Sequence, residues 1–138
     1  MTAKDKIHDA VRAALVKDGW TITDDPYTIE HEEVRVYADL AAHRSMVADR
    51  GGRRIVVEIK SFAGQSLVYN LEVALGQYML YRALLGLEGE DRDVYLAVPR
   101  ETYDDFLSGP AIRVVLQQFG VAMVVVDVAQ EEVVTWTR

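Results

Sequence analysis

Asp39, Glu58 and Lys60 are the residues of this chain best suited to chemistry, and they follow the spacing Asp-x18-Glu-x-Lys. Glu58 and Lys60 stand two positions apart on a segment that reads as a strand, so they project from one face of a sheet. Two carboxylates in such a pattern can hold Mg²⁺ or Mn²⁺ beside a phosphodiester, where the ion serves as a Lewis acid and lowers the pKa of a bound water. A neighbouring ammonium can orient that water or stabilise the charge that develops in the transition state. Ile59 turns its side chain to the opposite face, where it can pack, while its backbone carbonyl offers the metal a further oxygen. An acid-x-Lys pair is also common as an ion pair at the surface-facing end of a strand, and that alternative stands for Glu58 and Lys60 taken alone. The apolar run before them and the presence of Asp39 weigh toward a site, because charges on a central strand are costly to bury without partners.

The elements that must position these residues are legible in the periodicity. Ile7, Ala10, Val11, Ala14 and Leu15 recur at helical spacing between Ala3 and Lys17, with Thr2 as a candidate cap and Asp18-Gly19 as the stop. Trp20–Thr23 alternates as a first strand, ended by the turn signal Asp24-Asp25-Pro26, with Thr28–Ile29 as a brief continuation. Val34, Val36 and Ala38 define a second, half-exposed strand that delivers Asp39 at its end. The third, Arg54–Lys60, is β-branched and apolar up to Glu58. Ser66 caps a long helix to about Leu85, stopped by Gly86, with Leu71, Ala74, Leu75 and Tyr78 as its packing stripe. Val94–Val98 is a fourth, buried strand. Pro99 opens a turn or short helix, Pro110 opens a helix through Phe119 closed by Gly120, and Val121–Val128 with Glu132–Trp136 form a hairpin.

The order is therefore α-β-β-β-α-β with a C-terminal helix and strand extension. It predicts an α/β fold, a mixed sheet flanked by helices, in a single domain over 1–138. Between Ala42 and Ile55, Arg44, Arg50, Arg53 and Arg54 cluster around a Gly-Gly turn. They read either as a solvated connection between strands or as a patch that could meet phosphate.

Composition limits the function classes. With 138 residues, half of them apolar, the chain can bury a sizeable core, and intrinsic disorder is not expected. The absence of cysteine removes a disulfide framework, a thiolate zinc site and a cysteine nucleophile. The apolar runs are too short to span a bilayer and Met1–Lys6 does not read as a signal peptide, so a cytoplasmic location without membrane contact is expected. Fifteen Lys and Arg against 22 Asp and Glu leave a net charge of −7, which disfavours nonspecific coating of nucleic acid.

Asp39, Glu58 and Lys60 in this element order resemble the PD-(D/E)XK nuclease superfamily, which implies a restriction-endonuclease-like core and a Mg²⁺- or Mn²⁺-dependent site. Ala38 stands where the superfamily name has proline. Gln77-Tyr78-Met79-Leu80-Tyr81 is similar to the Gln-x3-Tyr element of the RecB-like branch. That similarity implies that Gln77 and Tyr81, one helical turn apart, support the metal site or contact nucleic acid. His8 is similar in position to a histidine that ligates metal in that branch, although a lone histidine on an amphipathic helix more often belongs to the scaffold. A resemblance to the XisH family covers nearly the whole chain. It is carried by Ala3-Lys4-Asp5, His8-Asp9-Ala10-Val11, Asp18-Gly19-Trp20-Thr21-Ile22-Thr23, Val57-Glu58-Ile59-Lys60-Ser61-Phe62, Ala74-Leu75-Gly76-Gln77-Tyr78 and Tyr95-Leu96-Ala97-Val98-Pro99.

The XisH resemblance implies an accessory factor that controls excision of the fdxN element, a DNA rearrangement in heterocyst-forming cyanobacteria that also involves a recombinase and a companion, XisI. Two functions follow as expectations. One is a metal-dependent DNA endonuclease or nicking subunit, with DNA as substrate. The other is a nuclease-fold protein that does not cut and instead controls a recombinase or binds an XisI-like partner. A homodimer, or a complex with that partner, would enlarge a small acidic surface enough to grip DNA.

Overall fold

The computed structural model describes residues 3–46, 49–64 and 66–137. Thr2, the proposed cap of the first helix, and the side chain of Arg50 lie outside the described residues. The elements run α1 (Ala3–Lys17), β1 (Thr21–Asp24), β2 (Tyr27–His31), β3 (Val34–Ala38), β4 (Leu40–Met46), β5 (Asp49–Ile59), α2 (Leu67–Leu87) and β6 (Asp93–Pro99). Then come a short helix α3 (Arg100–Thr102) running into a π-helical turn at Tyr103–Leu107, α4 (Pro110–Gln118), β7 (Met123–Asp127) and β8 (Glu132–Thr137).

Six strands form one mixed sheet in the order β1-β4-β5-β6-β7-β8. β5, β6 and β7 are parallel, while β1, β4 and β8 join antiparallel. Parallel neighbours need crossovers, and α2 and the α3–α4 segment supply them. On one face α1 sets Val11, Ala14 and Leu15 against Trp20, Leu40, Ile55, Val57, Tyr95 and Val124. On the other, α2 sets Leu71, Ala74, Tyr78 and Leu85 against Val56, Leu96, Val98 and Val125. β5 and β6 are sandwiched between these two cores, which is why both read as nearly unbroken apolar runs.

Several expectations change. Five strands, not three, precede α2. Thr28–Ile29 is not an extension of β1 but part of β2, which pairs with β3 as a separate two-stranded hairpin, Ile29 opposite Val36. The stretch from Ala42 to Ile55 is not a loop, since it completes β4 and begins β5, paired Ala42 to Ile55 and Arg44 to Arg53. Leu40-Ala41-Ala42 has little intrinsic strand preference, and pairing with β5 supplies what propensity lacks. Gly86 does not stop α2, which continues to Leu87, and the left-handed residue is Gly89 at φ +67°. Ser66 caps that helix as expected, accepting from the Tyr69 N–H at 3.1 Å. Gly19 at φ +96° and Gly120 at φ +62° follow the ends of α1 and α4 in the left-handed region that only glycine enters without strain. No helix among the described residues is long and apolar enough to cross a membrane.

Candidate functional site

The register between β4 and β5 assembles the site. Leu40 pairs with Val57, and extending that register by one residue sets Asp39, in the bend between β3 and β4, across from Glu58. The Asp39 carboxylate accepts the Ile59 backbone N–H at 2.7 Å, which fixes it against the end of β5. Glu58 shares the sheet face of Val56 and lies under α2. It is 6% exposed, the one charged side chain buried among the described residues.

Its partners are specific. The Tyr81 hydroxyl lies 3.1 Å from Glu58 Oε1 and 3.2 Å from the Tyr37 carbonyl, so one proton is offered to two acceptors. Lys60 Nζ is 3.5 Å from Glu58 Oε2. Burial, then the nearby Asp39 charge, push the Glu58 carboxyl up to about 7, against the opposing pull of Lys60 and the Tyr81 hydrogen bond. Burial and the Glu58 charge push the Tyr81 hydroxyl upward, which keeps it a neutral donor. Gln77 lies one turn before Tyr81, and its side chain partly offsets that upward push. The Gln77 Oε1 is buried and has no hydrogen-bond partner among the described residues. Ile59 packs on the opposite core, as its place between Glu58 and Lys60 predicts.

Asp39, Ile59 and Lys60 open onto a cleft of about 360 Å³. His8 and Ile7 from α1 and Phe62, Tyr69 and Val73 from the β5–α2 region also line it, and most of that wall is apolar. Glu58 itself does not line the cleft. Phe62 holds φ +56°, an unusual conformation for an aromatic residue, and packs against Phe106 with ring centroids 6.3 Å apart. The backbone therefore bends sharply just after Lys60, taking the chain away from the strand and into α2.

His8 shares the cleft wall, yet its Nε2 is hydrogen-bonded to Asp25 Oδ1 at 2.9 Å. Burial works to raise the Asp25 carboxyl, and the hydrogen bonds and charges of His8 and Arg12 overcome it and hold that carboxyl below the usual range. Among the described residues no group of three or more His, Cys, Asp and Glu is placed to hold a metal ion. The oxygen donors at the site are the Asp39 and Glu58 carboxylates and the Ile59 carbonyl, hard ligands of the kind that suit Mg²⁺ or Mn²⁺ and not a soft metal.

The arginines between Ala42 and Ile55 form no free basic patch among the described residues. Arg44 faces Asp18 at 3.9 Å and Arg54 faces Glu90 at 3.6 Å. Arg53 reaches Asp93 at 3.3 Å and the Tyr95 hydroxyl at 2.8 Å. Residues that sequence reasoning missed are Tyr37, whose carbonyl shares the Tyr81 proton, and Asp25, which claims His8. Neither has a sequence signal, because both contacts span folded distances between elements. Tyr69 and Val73 carried a legible signal, as apolar residues four apart and off the packing stripe of their helix.

The comparisons with known proteins agree with this architecture. The family model described as XisH protein matches residues 1–134. An XisH family protein from Nostoc punctiforme PCC 73102 is similar at 37% identity and a TM-score of 0.87, covering 97% of this chain and 100% of that one. An fdxN element excision controlling factor protein from Anabaena variabilis is similar at 40% identity and a TM-score of 0.86, covering 97% of this chain and 99% of that one. No curated protein sequence matches the chain significantly. A family model matched over nearly the full length, together with two such structures, places the chain in one family: it belongs to the XisH family.

Proposed function

We propose that this protein is a DNA-linked accessory factor of the excision-controlling type, with a metal-dependent phosphodiesterase site of the PD-(D/E)XK kind built on a restriction-endonuclease-like core. The observation that carries the reading is a buried glutamate on a central strand. It is set across from Asp39, joined to Lys60 and held by Tyr81, and Asp39 and Lys60 line an open cleft. Burying that carboxylate destabilises the fold, and a bound cation would relieve the penalty. The similarity to an fdxN element excision controlling factor supports the cellular context.

In this reading Asp39, Glu58 and the Ile59 carbonyl hold Mg²⁺ or Mn²⁺. The ion, when bound, supplies Lewis acidity and an acidified water. Lys60, at the cleft wall, orients the attacking water toward phosphorus. Tyr81 keeps Glu58 in its ligating rotamer, and Gln77 positions the Tyr81 hydroxyl, so both act through Glu58 and not on the substrate. His8 turns toward the cleft only by giving up Asp25, which makes it a secondary ligand in this scheme.

The experiment is incubation of supercoiled, linear, single-stranded and branched DNA with Mg²⁺ or Mn²⁺, comparing wild type with Glu58→Ala prepared identically. The expected result is metal-dependent cutting by wild type alone. Equal cutting by both proteins would remove Glu58 from the chemistry. A second reading is favoured by the paired arginines and the net charge of −7: the domain does not cut, and it controls a recombinase or docks an XisI-like protein. It predicts no cleavage on any substrate, with partner binding that survives Asp39→Ala and Glu58→Ala.

A further inference from the structure

The helix that holds the site carries a second pattern that the site does not use. α2 buries Leu71, Ala74, Tyr78, Tyr81, Leu84 and Leu85 against the sheet, yet it is apolar all round, with Glu72 and Arg82 its two charged residues. A surface helix ordinarily turns a polar face to water, and one that does not is expected to be covered. On the side away from the sheet, Tyr69, Val73, Gly76, Leu80, Ala83 and Leu87 follow one another at steps of four, three, four, three and four residues. That alternation averages about 3.5 and is the spacing of a helix seam made to pack on another helix.

All six seam residues are exposed, Tyr69 by 64%, Leu80 by 44% and Leu87 by 63%. A Cβ built at Gly76 meets nothing within 4 Å, so the middle of the seam is open and low enough for a helix to approach closely. The six seam residues carry no charge, although the chain carries −7 overall, and the exposed Glu72 borders the seam beside Gly76. With Val68 and Met79 beside it, the seam exposes roughly 700 Å², more than the largest apolar patch of an ordinary monomer and close to the ~800 Å² per partner of a standard stable interface.

We infer that this face is the interface of a two-fold homodimer, in which α2 of one copy packs along α2 of another. A second copy is the occupant these features fit. It offers the same seam, and a two-fold axis through its middle sets Gly76 of each copy against the partner's Leu80. The area on each side is what such a dimer needs. Tyr69 and Val73 belong both to the seam and to the cleft wall, so the second copy seats at the mouth of each cleft and joins the two clefts into one surface. The inference does not depend on metal chemistry or on cleavage.

The test is the solution mass of the full chain by light scattering or sedimentation at about 50 µM, a concentration at which a dimer of micromolar or tighter affinity is mostly associated. Wild type is expected near twice 15.5 kDa, about 31 kDa. Leu80→Glu and Leu80→Lys, each with an unchanged circular dichroism spectrum, are each expected at the mass of one chain. An equal mixture of the two is expected to return to the double mass, because opposite charges then meet across the axis. A monomeric wild type, a dimer that survives Leu80→Glu, or a mixture that stays monomeric would each overturn the assignment. If Leu80→Glu disturbs the spectrum, Ala83→Arg, on the same exposed line, serves in its place with the same expected mass.

Discussion

Replacing Glu58 with glutamine is expected to stabilise this protein above neutral pH and to remove its response to Mg²⁺. The Glu58 carboxyl is raised from 4.5 to about 7 by burial and by Asp39, with Lys60 and Tyr81 the opposing groups that face it. Between those values the folded state binds more protons than the unfolded state, so stability falls as pH rises through that window. Each pKa unit is worth about 1.4 kcal/mol, which makes the penalty on the ionised carboxylate about 3 kcal/mol at its upper bound. The glutamine amide keeps an acceptor for the Tyr81 hydroxyl but gives up the contact with Lys60, so about 2 kcal/mol of net gain is expected. For a chain of this length the unfolding entropy is roughly 0.3 kcal/mol per kelvin, and the gain becomes a rise in Tm of about 7 °C.

The assay is thermal unfolding followed by circular dichroism, in EDTA and in about 10 mM MgCl₂, at about pH 8 and about pH 5. Glu58→Gln should melt higher than wild type at the upper pH in EDTA, and the difference should vanish at the lower pH, where Glu58 is already neutral. Mg²⁺ should raise the Tm of wild type and not of the variant, by about 1.4 kcal/mol if the dissociation constant is near 1 mM. A variant less stable than wild type at the upper pH, or a difference independent of pH, would refute the argument that Glu58 is held ionised at a cost.

Lys60→Ala should leave metal-dependent stabilisation intact while slowing DNA cleavage by about 100-fold or more, as expected for a group that acts in the transition state. An unchanged rate would sink its role. Tyr81→Phe strips both Glu58 and the Tyr37 carbonyl of a buried donor, and chemical denaturation should show a loss of about 1 to 3 kcal/mol. Ser66→Ala removes the cap of α2 and should cost about 1 kcal/mol by the same measurement, with no effect on metal response. Asp25→Asn should destabilise at neutral pH by less than about 1 kcal/mol, since the pair with His8 and Arg12 is partly exposed. Because the Asp25 carboxyl is held low, that difference should fade only as pH falls through its depressed range, and a constant difference would contradict the pairing.

Periodicity alone determined most of the elements of this protein. The 3.6-residue stripe of α1, the β-branched run before Glu58, the Ser66 cap and the Gly19 and Gly120 stops are local properties, and local chemistry is what a sequence displays. The same locality put Glu58 and Lys60 on one strand face and Gln77 and Tyr81 one turn apart. What it could not supply was β4, where Ala41 and Ala42 become strand residues only because Val56 and Ile55 lie beside them. Nor could it separate β2 and β3 from the main sheet, since the choice of pairing partner is made between elements.

The site divides along the same line. Asp39 was visible as an acid after an alternating run, but its position across from Glu58 is set by the β4–β5 register, an interaction over 18 intervening residues. Burial of Glu58 beneath α2, the sharing of the Tyr81 proton with Tyr37 and the diversion of His8 to Asp25 are decided by how layers pack. The arginine cluster shows the converse: four like charges stand together in sequence, and for Arg44, Arg53 and Arg54 the fold brings carboxylates from distant elements to meet them. Residue types chose the chemistry that is available here; the approach of strands and helices far apart in the chain decided which of those groups stand close enough to interact, because electrostatic and hydrogen-bond energies depend on distance in space and not on separation in sequence.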